Sequence, residues 1–291
     1  SPHYHFYALA AVVPLLEVAE HAGANLFDAP QTRRLFTGPL RYVLPDQTFP
    51  PLNDSQRRPL RTVARFYDYA YGRWADEEFA AVQMPQRTWW GLFWGADTIP
   101  SPPPAALRLP SYSNPDEGMA ILRNADNSMV AHLDFTRRVN VHVQPARLSM
   151  TLYADDALYL VDPGLVSYDN PYYDSWYAQT VAHNTLVVDE RPQRRAPGAL
   201  VAWHQTDAYA IARARCDAAY PGVTFDRTLL LYDDTLVDVL RAVGDDAHTF
   251  DLPLHFSQAL VVPSRTQPVE RLGTGAGYEH FTQPVQLLDR V

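Results

Sequence analysis

Asp162 and His183 are the two residues whose types and spacing most readily support chemistry. Asp162 stands in Val-Asp-Pro-Gly (161–164), which reads as a strand end followed by a turn at Pro163-Gly164. His183 stands in Ala-His-Asn-Thr (182–185), just before Leu186, Val187 and Val188, a run with the character of a buried strand. A carboxylate at one strand end and an imidazole at the start of the next can meet in space. Such a pair suits metal binding or proton transfer. A polar corner of a β-structure that does no chemistry has the same appearance, and spacing does not separate the two. Between them runs a Tyr-rich loop with Tyr168, Tyr172, Tyr173 and Tyr177, whose rings can line a cleft or fill a core.

Titratable rings are also dense at the start of the chain, in Ser1-Pro2-His3-Tyr4-His5-Phe6-Tyr7. A packed aromatic face explains them as simply as a site does. Trp89, Trp90 and Trp94 can stack on sugar rings, but such residues are more often core. His132, His204, His248 and His255 read as structural or exposed, and Asn184 and Gln193 read as hydrogen-bonding ties between loop and sheet.

The elements that must position these groups change character along the chain. Residues 1–27 have helical apolar spacing, with Pro14 as an expected kink and Gly23 as an expected stop. Further helices are expected over 31–44, 57–74, 77–82 and 88–94, the second of them capped by Asn53-Asp54-Ser55. Residues 97–115 hold Pro100, Pro102, Pro103, Pro104, Pro110 and Pro115, a semi-rigid linker. Beyond it short runs alternate with period two, at 119–122, 129–135, 148–153, 158–161, 186–188, 208–212, 224–232 and 235–241. Asp155-Asp156 and Asp233-Asp234 mark tight turns. Strands at this frequency without intervening helices predict antiparallel sheets. The expected division is helices over 1–99, a linker over 100–116 and an antiparallel β domain over 117–291.

With 291 residues, 47% of them hydrophobic, the chain can bury a large core. Its net charge of −9 argues against a nucleic-acid binder, and no apolar run reaches membrane-spanning length. All 24 basic residues are Arg, which grips carboxylates bidentately, so the doublets Arg33-Arg34, Arg137-Arg138 and Arg194-Arg195 are local positive patches. Cys216 is the one cysteine, so no intrachain disulfide forms.

Asp-Pro-Gly, the Tyr-rich loop, Ala-His-Asn-Thr and then Val-Asp-x-x-x-Gln (188–193) together resemble the heparinase II/III-like polysaccharide lyases, which include the oligo-alginate lyases. The resemblance covers nearly the whole chain. It implies an α+β multidomain fold, the C-terminal part of an (α/α) toroid followed by an antiparallel β-sandwich, with much of the toroid lying upstream of Ser1. It implies β-elimination at a uronic acid in an anionic poly- or oligosaccharide, in the periplasm or outside the cell, with the cytoplasm as the alternative. A base takes the C5 proton, the C4–O bond breaks, and the leaving oxygen is protonated. The substrate carboxylate must be neutralised for that proton to leave.

Carried over by position, Tyr4 matches the acid/base tyrosine of a Ser-x-x-Tyr-His segment. His142-Val-Gln-Pro-Ala-Arg-Leu-Ser149 matches the family's His-x-His-x-Asp-Lys-Leu-Ser, which makes His142 the catalytic histidine. Tyr168, Arg147 and His5 are expected on the substrate. Asp162 and His183 match two zinc positions. Gln144 falls where the family has the third zinc ligand, a histidine, and Ala146 where it often has Asp. Gln is a poor zinc ligand. The corner is therefore held either by zinc or by hydrogen bonds among Gln144, Asp162 and His183. Two other function classes stay open: a carbohydrate-binding relative without turnover, and a glycoside hydrolase, which needs two opposed carboxylates.

Overall fold

The computed structural model describes residues 2–82, 89–97, 107–137, 142–259 and 265–288. Residues 98–106 of the Pro-rich stretch, and Arg138, lie outside them. The chain divides into two compact units, Ser1–Leu109 and Pro110–Val291.

The first unit is helical. Helix α1 (Pro2–His21) buries Phe6, Leu9, Val13 and Leu16, the i, i+3, i+4 stripe of an amphipathic helix. It runs through Pro14 without ending there. It stops at Gly23, whose φ of +86° suits a residue without Cβ, while Ala24 N–H closes back onto Ala19 C=O at 2.8 Å. Helix α2 (Pro30–Leu40) follows. The expected cap at 53–55 is not one: strands β1 (Thr48–Phe49) and β2 (Arg58–Pro59) pair instead. The chain then makes a 3-10 turn over Leu60–Val63 before α3 (Ala64–Trp74). Two short helices, α4 (Glu77–Ala80) and α5 (Trp89–Trp94), complete the unit. Its core is largely aromatic. Phe6 stacks on Phe66 at 5.6 Å, and Phe36 meets Tyr69, Trp74 and Phe79. Each such buried ring contributes roughly 1.5–3 kcal/mol. Trp90 packs against this core, whereas Trp89 and Trp94 are exposed.

The second unit is built from antiparallel strands. Strands β3 (Tyr112–Asn114), β4 (Met119–Arg123), β5 (Val130–Asp134), β6 (Ser149–Ala154) and β7 (Ala157–Leu160) form a five-stranded meander in sequence order. The β6–β7 turn places Asp155 and Asp156 at φ +49° and +58°, the geometry of a two-residue hairpin. Strand β8 (Val187–Val188) is short. Strands β9 (Ala199–Gln205), β10 (Tyr209–Tyr220), β11 (Val223–Tyr232) and β12 (Thr235–Gly244) form a second sheet. Strand β13 (Phe250–Asp251) pairs with β8, and β14 (Thr266–Pro268) pairs with β15 (Val285–Leu287).

Strands β4 and β5 are buried on both faces, and β10 and β11 on alternate residues. The two larger sheets share one core, in which Leu122, Leu133, Phe135 and Met150 meet Ala212, Phe225 and Leu229. Across β10 and β11 small faces large: Ala212 opposite Leu229, Ala214 opposite Arg227, Cys216 opposite Phe225. No helix among the described residues is long and apolar enough to cross a membrane.

Candidate functional site

Asp162 and His183 do meet. The chain leaves β7 at Leu160 and turns at Gly164, φ +64°, whose N–H donates to Asp162 Oδ1 at 3.0 Å. The other carboxylate oxygen lies 2.7 Å from His183 Nδ1. His183 follows a 3-10 turn, Thr180–Ala182, and is fully buried; its Nε2 lies 3.2 Å from Tyr177 C=O. Gln144 closes the corner by donating its amide to Gly164 C=O at 2.7 Å.

Asn184 and Gln193 hold this corner to the sheet. The Asn184 amide donates to Met150 C=O and Val161 C=O, and its oxygen accepts the His255 N–H at 2.6 Å. Gln193 brackets Arg147, accepting its N–H and donating to its C=O, and donates to Leu186 C=O as well. Each is a buried amide matched to backbone groups that would otherwise be stranded.

His142 stands outside the corner, exposed, at φ +69°. This is a left-handed conformation, which Leu148 (φ +61°) shares at the far end of the same segment. Its Nδ1 lies 3.1 Å from the Tyr168 hydroxyl. Tyr168 is 49% exposed, and its ring meets Tyr173 edge-on at 4.9 Å. Segment 142–144 is thus laid against 164–168 at two points, one through Gln144 and one through His142.

Arg147 is a correction. It was expected on the substrate, but it is 1% exposed, with Nε donating to Ala196 C=O at 2.5 Å. Its two terminal nitrogens have no hydrogen-bond partner among the described residues. Burial lowers its pKa. A guanidinium so enclosed shapes the loop from within and does not grip a ligand.

Arg227 was missed. It is fully buried, forks onto both oxygens of Asp238 at 2.8 and 2.6 Å, and donates to Leu148 C=O and Asn184 C=O. The signal was present: in β11 it occupies the same phase as Phe225, Leu229 and Leu231, so alternation already aims it inward. His255, read as structural or exposed, is structural. Besides its backbone bond to Asn184, its Nε2 lies 2.8 Å from Val181 C=O, and burial lowers its pKa.

Tyr4 and His5 belong to the helical unit. Tyr4 is half-buried in the first turn of α1, beside His3 at 5.7 Å. His5 Nε2 lies 2.7 Å from Leu35 C=O in α2, so that nitrogen faces a backbone oxygen.

The donor chemistry does not fit zinc. Gln144 presents its NH2 to Gly164, and the Nδ1 of His183 is engaged with Asp162. Among the described residues no three His, Cys, Asp or Glu groups are gathered as a metal would need.

Comparison with known proteins agrees with this frame. Residues 108–284 match the family described as heparinase II/III-like, C-terminal. An alginate lyase of Stenotrophomonas maltophilia (strain K279a) is 43% identical over 131 residues, 37% of this chain and 17% of that protein. An exo-oligoalginate lyase of Saccharophagus degradans (strain 2-40) is 32% identical over 127 residues, again 17% of that protein. Among solved structures, a heparinase III superposes with a TM-score of 0.73 at 16% identity, covering 93% of this chain and 42% of that one. Heparan sulfate lyase HepC from Pedobacter heparinus gives 0.69 at 17%, covering 86% and 39%. The chain thus spans well under half the length of the proteins it matches. The chain belongs to the heparinase II/III-like family, matching its C-terminal domain over more than half of its length.

Proposed function

We propose that the protein is a polysaccharide lyase that cleaves a uronate oligomer of the alginate type by β-elimination. The observation that carries this reading is the exposed His142–Tyr168 pair, held at 3.1 Å in a chain of this family. The alginate class is preferred because the two curated relatives carry that name, at 43% and 32% identity. The heparinases share the fold at far lower identity.

In this reading Tyr4 takes the C5 proton and returns a proton to the leaving oxygen. Electrons from the C5–H bond form the C4–C5 double bond as the C4–O bond breaks. His142 binds at the reacting sugar, and Tyr168 sets the orientation of its ring. His5, on the same helix turn as Tyr4, contacts the substrate, with its Nε2 set by Leu35 C=O. The Asp162–His183–Gln144 corner is a hydrogen-bonded brace for segment 142–144, with no step routed through a metal. The helices form part of an (α/α) toroid, the two large sheets a sandwich, and the protein works in the periplasm or outside the cell.

The test is ultraviolet absorbance of the unsaturated uronate, measured with alginate oligomers and the polypeptide that carries the whole toroid. Product is expected, and Tyr4→Phe is expected to abolish it. Absence of product on alginate, heparan and hyaluronan oligomers overturns the reading. Gln144, standing in for a family histidine, favours one second reading, a carbohydrate-binding relative. Binding that survives His142→Ala, with no product from the parent, would select it.

A further inference from the structure

Four residues beyond Tyr168 the same loop exposes a second ring. Tyr172 is 57% exposed and precedes a π-helical turn, Tyr173–Tyr177. Its ring lies in water on the same loop as the exposed ring of Tyr168. It stands on a fixed support. Its ring meets His280 at 5.5 Å, and His280 Nε2 lies 3.2 Å from Ser175 Oγ. Trp176 backs this group, with His255, His280 and Phe281 around it at 5.6, 5.7 and 5.8 Å. His255 in turn is tied to Asn184 and Val181 of the buried corner. The ring is therefore held by chain from two distant stretches, and movement of the 278–281 segment would disturb it.

We propose that Tyr172, with His280 and Ser175 beside it, is a second sugar subsite that takes the next ring of the oligosaccharide whose reacting ring lies at His142. The proposal rests on the lyase reading above. Tyrosine offers a flat, rigid face at small entropic cost, and such a face suits the C–H side of a pyranose ring. His280 and Ser175 supply a donor and an acceptor for a ring hydroxyl. Tyr168 links the two places, since it touches His142 on one side and Tyr173 on the other.

The experiment is calorimetric titration of the 291-residue chain with saturated oligo-alginates of two, three and four sugars. In Tyr172→Ala, affinity for the three- and four-sugar ligands falls about tenfold, the size of one aromatic contact, while that for the disaccharide falls at most about twofold. Tyr172→Phe keeps the length dependence, and circular dichroism shows that both variants are folded. Equal losses at every length, no loss at any length, or no binding by the parent chain overturns the subsite. Turnover is measured in parallel with the longer polypeptide. Length-dependent binding through Tyr172 without product leaves the subsite standing and removes the lyase reading. Product with a length-independent Tyr172→Ala does the reverse.

Discussion

His142 Nδ1 and the Tyr168 hydroxyl are 3.1 Å apart, across 26 residues of sequence. A phenol at that distance fixes the rotation of an imidazole on an exposed loop. His142→Ala is expected to lower turnover about 10²- to 10⁴-fold, the range for a lost acid–base or orienting group. Tyr168→Phe should cost less, and the double variant should be little worse than His142→Ala, because the two act as a unit. Rates from uronate absorbance check this. Strictly multiplicative losses would show the contact to be incidental.

Gln144 occupies a corner that already holds a carboxylate and an imidazole. Gln144→His supplies the missing nitrogen, and zinc affinity should rise by at least about tenfold. The parent chain should carry no stoichiometric zinc after dialysis, and chelators should leave its unfolding midpoint unchanged. Elemental analysis and titration read both. Stoichiometric zinc retained by the parent would refute the hydrogen-bonded brace.

Arg227 and Arg147 are both buried, but only Arg227 has its whole fork matched. Arg227→Met strands the buried carbonyls of Leu148 and Asn184 and leaves Asp238 to the solvent, and should cost about 2–4 kcal/mol. Arg147→Met loses one bond to Ala196 and removes two unmatched nitrogens, so about 1–2 kcal/mol is expected. Urea denaturation measures both, and the reverse order would be inconsistent with the packing described here.

His132 is enclosed in β5 with Nδ1 3.2 Å from Thr151 Oγ1, and burial, aided by the charge of Arg123, pushes its pKa down to about 3. In the unfolded chain the same ring takes a proton near ~6.5. Between those values the unfolded state binds a proton that the folded state refuses. The contribution to stability is complete above about pH 6.5 and is lost as pH falls toward 3. His132→Gln should therefore shrink the stability difference between pH 7 and pH 5 by about 1–2 kcal/mol. An unchanged difference in denaturant titrations would show that His132 is not the group responsible.

Much of the architecture is legible in consecutive residues. The apolar stripe of α1 and the alternation of β10 and β11 are local, since each residue's face follows from the helical or strand period. Asp162 and His183 were legible as a pair, because a strand end and a following buried run bound the loop between them. Legible too was the order of classes, helices before strands.

The partners of most other polar atoms were not legible. Arg227 reaches Leu148 across 79 residues, and Arg147 is enclosed by chain 46 and 49 residues further on. No periodicity encodes such crossings, because they depend on which sheet faces lie together. The left-handed backbone of His142, the bond from His5 to Leu35 and the support of Tyr172 by His280 arise the same way. Local sequence sets the direction in which a side chain leaves the backbone, and only the packed chain sets what it meets there.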